Sequence, residues 1–230
     1  VNLVNGGPST VNTILTHEGI EGVSFVGSTP VAEHVYETAA ATGKRVQAQG
    51  GAKNHVIVTE SADPEYAAEK VFSAACACSG ERCLALDIAV VEEGAYEEFA
   101  DAVVEQAAGA VVGDGLADET TIGPLISPDH EEAVREYIET GIEEGATVLY
   151  DGREEIPDSS GNFLGPVVFG EATPDMTIAR EEIFGPVLAM IEVPDFDTAV
   201  ETVNRSRFGN AASLFTDSGR KANQFKNDVE

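Results

Sequence analysis

The sequence predicts an α/β fold built on a parallel, doubly wound sheet. Three observations carry this. Short apolar runs rich in β-branched residues, such as GVSFV at 22–26 and LALDIAVV at 84–91, read as strands covered on both faces. Amphipathic helical stretches alternate with them along the whole chain. No repeat or low-complexity segment interrupts that alternation, so strand–helix units joined in series are the simplest arrangement.

Taken in order, Val1–Val4 reads as a short strand, and Gly6-Gly7-Pro8-Ser9-Thr10 as a turn into a helix that reaches His17. GVSFV at 22–26 is a second buried strand, followed by Gly27-Ser28-Thr29 and a helix from Pro30 to Thr42, which repeats the preceding unit. At Gly27-Ser28-Thr29, backbone N–H groups and hydroxyls crown a helix N-terminus, where unpaired donors and the helix dipole stabilise a phosphate. Simple capping by Ser28 or Thr29 accounts for the same residues, and the G-x-G-x-x-G fingerprint is absent. From Val46 to Thr59 an extended run is broken by Gln49-Gly50-Gly51, read either as a bulge or as a close backbone approach that holds a polar residue at a cleft edge.

Ser79-Gly80-Glu81-Arg82-Cys83-Leu84-Ala85 is the passage around which the rest is arranged. A helix starts at Asp63 as N-cap, with Pro64 in the first turn, and buries Ala68, Val71, Phe72, Ala75 and Cys76 before Gly80 stops it. Cys76 and Cys78 are read as helix packing. Cys83 falls in the loop before the next strand, where the cation of Arg82 favours a partly exposed, more easily ionised thiol. A buried, inert thiol is the alternative, and a three-cysteine metal site of C-x-C-x4-C spacing lacks a fourth ligand nearby.

Beyond Val91 come a helix from Ala95 to Ala108, a Gly-rich connection, a helix from His130 to Glu144, a strand at 148–150 and a polar loop from Asp151 to Asn162. Strands follow at 163–170 and 188–193, then a helix from Asp197 to Arg205, a strand at 212–215 and a last helix from Ser218. The chain opens on apparent strand sequence and stops in helical sequence, so a piece of a longer protein is expected.

Composition narrows the function. The 230 residues hold 41 Asp plus Glu against 13 Lys plus Arg, a formal charge of −28, with the acids spread over helix faces. Such a surface disfavours nucleic acid and anionic membranes and fits adaptation to high salt. Three cysteines give no disulfide framework and suit a reducing cytoplasm, with no apolar run long enough to span a bilayer.

Read together, FVGST at 25–29, GGAKN at 50–54, GERC at 80–83, GP at 123–124 and 165–166, EEIFGPV at 181–187 and the Asn204 and Phe208-Gly209 pattern before SLFT resemble the aldehyde dehydrogenase superfamily over essentially the whole chain. Within it, VQAQGGAKNHVIV, GERCLAL, GPLISP, GNFLGPVV and FGNAASLFT are most similar to the CoA-acylating methylmalonate-semialdehyde dehydrogenases. The resemblance implies the end of a Rossmann-like NAD-binding domain over 1–48, and most of an α/β catalytic domain over 49–230. It implies Cys83 as nucleophile, Arg82 as a ligand for a substrate carboxylate, Ser28 at the cofactor pyrophosphate, Glu182 at a ribose and Phe184 beside the nicotinamide. Lys53 is left as structural. NAD is the implied cofactor, a small semialdehyde and coenzyme A the implied partners, and a dimer or tetramer the implied assembly. A side-chain amide for the oxyanion and a second substrate arginine are expected upstream of Val1.

Gln49 departs from the general pattern, which has a glutamate there as base for the deacylating water. An amide takes no proton near neutrality, so the acyl thioester is left for the CoA thiol. A plain NAD(P) aldehyde dehydrogenase that releases free acid, and a non-catalytic acidic or metal-binding module, remain the alternatives. The one-sided surface charge predicts that the melting temperature rises along a salt series, because screening relieves repulsion that is strongest in the compact state.

Overall fold

The computed structural model describes residues 1–157 and 161–230, and the chain divides into two compact units, Val1–Gly51 and Ala52–Glu230. Part of the expected polar loop from Asp151 to Asn162 therefore lies outside the described residues.

In the first unit, helix α1 (Pro8–Thr16) precedes strand β1 (Gly22–Val26), helix α2 (Thr29–Ala41) and strand β2 (Arg45–Gln49). The strands pair in parallel with Gly22 opposite Arg45. Leu15, Val35 and Ala39 form a small core beneath Val23, Phe25, Val46 and Ala48. Lys44, nearly buried, donates from Nζ to the carbonyls of His17 and Ile20, both at 2.6 Å, and ties the start of β2 to the end of α1. Two expectations fail here. Val1–Val4 forms no strand and is exposed, since it pairs with no strand among the described residues. GVSFV does form a strand, but it alternates exposed and half-buried residues, since α2 covers one face only.

The second unit holds a six-stranded sheet, made of β3 (His55–Val58), β4 (Ile88–Glu92), β5 (Thr147–Asp151), β6 (Val167–Gly170), β7 (Val187–Val193) and β8 (Ala212–Phe215), in the order β5-β6-β7-β4-β3-β8. All pairs are parallel except the antiparallel edge pair β5–β6. Continuous burial along β3, β4 and β6 is the signature of a sheet covered on both faces. Ile57, Ile88 and Val90 point to one core, lined by helices α5 (Pro128–Glu143), α6 (Thr177–Arg180) and α7 (Phe196–Asn204). Val56, Val58, Ala89 and Val91 point to the other, under α3 (Pro64–Cys76) and α4 (Glu93–Ala108). Asp63 caps α3 by accepting from the Tyr66 N–H at 3.0 Å, and Pro64 opens it as expected. Strand β4 starts at Ile88, later than expected. Leu84 is exposed, because the preceding residues form the loop described below.

At the far end of β4 the buried Glu92 carboxylate accepts from Lys221 Nζ, at 2.6 and 2.8 Å, and from the Glu60 N–H at 2.7 Å. It thereby joins two strands to helix α8 (Gly219–Asp228). Removing one partner of such a pair leaves a buried charge without compensation, so Lys221→Met is expected to lower stability by about 3 kcal/mol in urea titration. Adding Glu92→Gln should restore part of the loss.

Candidate active site

Cys83 lies on the loop between α3 and β4. After Cys76 the helix breaks: Ala77 is extended, with ψ 140°, and the backbone then turns left-handed for three residues in succession, with φ of 52° at Cys78, 58° at Ser79 and 73° at Gly80. Each non-glycine residue in that region costs roughly 1–2 kcal/mol, so neighbours must hold the turn in place. Three do. Buried Ser79 donates from Oγ to the Gly123 carbonyl at 2.8 Å. Gly80 lies so close to the next loop that an added Cβ would stand 2.0 Å from the Gly185 oxygen. Glu81 accepts from the Ile126 N–H at 3.0 Å. The chain then presents Arg82 half-buried and Cys83 exposed, and the Ala85 N–H donates to the Arg82 carbonyl at 3.1 Å. Among the described residues, the N–H of Cys83 makes no hydrogen bond and the Arg82 guanidinium has no carboxylate partner.

Beneath the loop, the Cys83 carbonyl accepts from the side-chain amides of Asn54, at 2.9 Å, and Asn210, at 2.6 Å. Buried Lys53 places Nζ 2.8 Å from Asp87 Oδ2, off the angle that a good hydrogen bond needs. On the other side, Glu182 Oε1 accepts from the Ala52 N–H at 3.1 Å. The segment 52–54 therefore touches both Glu182 and the Cys83 loop. Phe184, at φ 58°, receives a 2.7 Å hydrogen bond on its carbonyl from His130 Nε2, which also lies 3.5 Å from Glu81 Oε1. Arg82, Cys83, Glu182 and Phe184 are thus gathered at one edge of the sheet.

Ser28 and Gln49 belong to the smaller unit. Ser28 is the N-cap residue of α2 but its hydroxyl makes no capping bond, while Thr29 Oγ1 accepts from the Gly51 N–H at 3.0 Å. An exposed hydroxyl beside unpaired first-turn N–H groups fits a phosphate oxygen. Gln49 ends β2, exposed, with its carbonyl accepting from the Gly27 N–H at 3.1 Å. Gly50 packs against Thr29, so Gln49-Gly50-Gly51 is a close approach between β2 and α2 and not a bulge within one sheet.

The aldehyde dehydrogenase family model matches residues 1–230. The chain belongs to the aldehyde dehydrogenase family. It is 44% identical over 230 residues to malonate-semialdehyde dehydrogenase 2 of Shouchella clausii, covering all of this chain and 47% of that protein. Against malonate-semialdehyde dehydrogenase 1 of Oceanobacillus iheyensis it is 46% identical over 233 residues, covering all of this chain and 48% of the relative. It is also similar to the crystal structure of methylmalonate-semialdehyde dehydrogenase from Oceanimonas doudoroffii, with a TM-score of 0.95 and 38% identity over 98% of this chain and 47% of that one. A 1-pyrroline-5-carboxylate dehydrogenase from Thermus with bound NAD matches with a TM-score of 0.87 and 31% identity, over 94% of this chain and 42% of that one. This aldehyde dehydrogenase chain therefore spans about half the length of the relatives it matches.

One expectation about the thiols fails. Cys78 is not packed on α3. The left-handed turn takes it off the helix and leaves it exposed. Cys76 is buried, and burial pushes its thiol up to about 12. Asn54, Asn210, Ser79 and His130 were not legible as site residues. Asn54 and Asn210 do stand inside quoted motifs, each just ahead of an apolar strand, and that placement is the available signal. Alkylation with iodoacetamide at pH 8, mapped by mass, is expected to label Cys83 and Cys78 and to leave Cys76 unmodified until the chain unfolds.

Proposed function

We propose that the complete protein oxidises a carboxylate-bearing semialdehyde, malonate or methylmalonate semialdehyde, and passes the acyl group from Cys83 to coenzyme A. The observation that carries this reading is an exposed thiol between Arg82 and a free loop N–H, in a chain with an amide at position 49. The Cys83 thiolate attacks the aldehyde carbon, giving a hemithioacetal whose oxyanion meets the N–H of Cys83. NAD, when bound, supplies the acceptor for the hydride that leaves this carbon. What remains on Cys83 is a thioester. The thiolate of coenzyme A then attacks the thioester carbonyl, and the sulfur of Cys83 departs as thiolate, ready for another cycle.

Arg82 pairs with the substrate's distal carboxylate. Arg82 is half-buried and its guanidinium has no carboxylate partner among the described residues of a strongly acidic chain, so it is open to one from outside. Ser28, with the start of α2, holds the cofactor pyrophosphate. Glu182, whose Oε1 is fixed by the Ala52 N–H, presents its other oxygen to a ribose hydroxyl, and Phe184 flanks the nicotinamide. Gln49 cannot accept a proton from water, so hydrolysis of the thioester is slow and transfer to coenzyme A prevails. The names borne by the similar proteins support semialdehyde oxidation, and the NAD-bound Thermus structure supports the cofactor.

In the complete protein, a burst of NADH is expected without coenzyme A, and steady turnover to acyl-CoA with it. Gln49→Glu should raise CoA-independent acid release, by about 10-fold or more if the carboxylate acts as general base. Product analysis with and without coenzyme A checks this. Equal wild-type turnover to free acid in both conditions identifies a plain aldehyde dehydrogenase instead.

A further inference from the structure

The amides of Asn54 and Asn210 form a closed set of hydrogen bonds beneath Cys83. Asn54 Nδ2 donates to the carbonyls of Cys83, at 2.9 Å, and Ala85, at 2.8 Å. Asn210 Nδ2 donates to the Cys83 carbonyl at 2.6 Å and to Asn54 Oδ1 at 3.0 Å. Each amide nitrogen carries two hydrogens, and all four are used. The Cys83 oxygen has two lone pairs, and both are filled. Asn54 is buried, while Asn210 has φ 101°, a conformation rare for a side-chain-bearing residue. Glycine would relieve that backbone and lose the amide. The fold retains the strained asparagine, and its amide is directed at the peptide of the cysteine.

We propose that Asn54 and Asn210 are a positioning pair: two of their four amide donations hold the Cys83 carbonyl, one holds that of Ala85 and one locks the two amides together, so that the Cys83–Leu84 peptide is fixed and the thiol and the N–H of Cys83 are aimed at the same point. This rests on the reading of Cys83 as nucleophile. The two asparagines come from the entries to β3 and β8, which are hydrogen-bonded neighbours with His55 opposite Ala212. The sheet register itself therefore sets their spacing. With the carbonyl held inward from two sides, rotation of the peptide would break two hydrogen bonds at once. Of the loop's own backbone bonds, Glu81 to Cys78, Arg82 to Gly80 and Ala85 to Arg82, the last is the one that spans this peptide.

The test uses Asn210→Gly and Asn210→Asp in the complete protein. The glycine suits φ 101° but removes both donations. The aspartate keeps the shape, but it sets acceptor oxygens against the Cys83 carbonyl and Asn54 Oδ1, and places a negative charge near the thiolate. A packing role predicts that aspartate behaves as wild type and that glycine is the worse. The positioning role predicts the opposite order. Iodoacetamide alkylation of Cys83 at pH 7 should slow in Asn210→Gly and slow further in Asn210→Asp, with Cys78 as internal control within about 2-fold of its rate. Hydrogen exchange at the Ala85 amide should rise about 10-fold in both, with the β3 and β4 amides unchanged. Where turnover is followed, kcat should fall about 10-fold or more with little change in KM, as for a misplaced reacting group. Parental Cys83 alkylation and Ala85 exchange in Asn210→Asp overturns the proposal, as does parental behaviour of Asn210→Gly. Exchange and alkylation need no substrate, so a wild-type protein inactive on semialdehydes would count against the assigned reaction and leave this test intact.

Discussion

Parallel pairing in register is the constraint on which the site depends. His55 stands opposite both Ile88 and Ala212, and Ile88 stands opposite Ala189, so β3, β4, β8 and β7 begin almost level with one another. Parallel strands share a direction, which brings the segments leading into them to the same edge of the sheet. Asn54, the Cys83 loop, Asn210 and Gly185-Pro186 are those segments. A shift of register would separate the Cys83 carbonyl from its two amides even with every helix and turn formed.

This edge is the amino-terminal one. Open α/β sheets more often place ligands beyond the carboxyl ends of their strands. Here that opposite end is closed at β4 by the ion pair of Glu92 with Lys221, a structural joint. The amino-terminal edge carries most of the irregular backbone instead, namely left-handed Cys78, Ser79 and Gly80, left-handed Phe184, and Asn210, against Glu171 after β6 at the other end. Strained residues persist only when their surroundings over-determine them, and four of the five at this edge have a named partner. Ser79 has Gly123, Gly80 has Gly185, Phe184 has His130, and Asn210 has Cys83 and Asn54.

Much of this was legible in the sequence. The alternation of helices with buried strands, the Asp63 cap, the stop near Gly80 and the loop position of Cys83 follow from local rules, because capping, helix stripes and continuous apolar strands are local physics. Val1–Val4 misled because an apolar run looks like a strand whether or not a neighbouring strand is present to pair with it. Cys78 misled for a related reason. Helical spacing continues through it, and the left-handed turn is held by contacts with residues far along the chain, Ser79 with Gly123, Gly80 with Gly185 and Glu81 with Ile126. The roles of Asn54 and Asn210 were hidden for the same cause, since they lie 156 positions apart and meet only through the pairing of β3 with β8.

Most lysines of this acidic chain are held inward. Of its five lysines, Lys44 is bound to two carbonyls, Lys53 sits beside Asp87 and Lys221 beside Glu92, leaving Lys70 and Lys226 at the surface. Amine-directed reagents therefore have few places to act on the folded chain. Acylating probes and lysine cross-linkers reach Lys70 and Lys226, while loss of native structure would expose the remaining three. Amine accessibility in this protein is consequently a direct measure of folding, one that can be read without disturbing the thiol at the site.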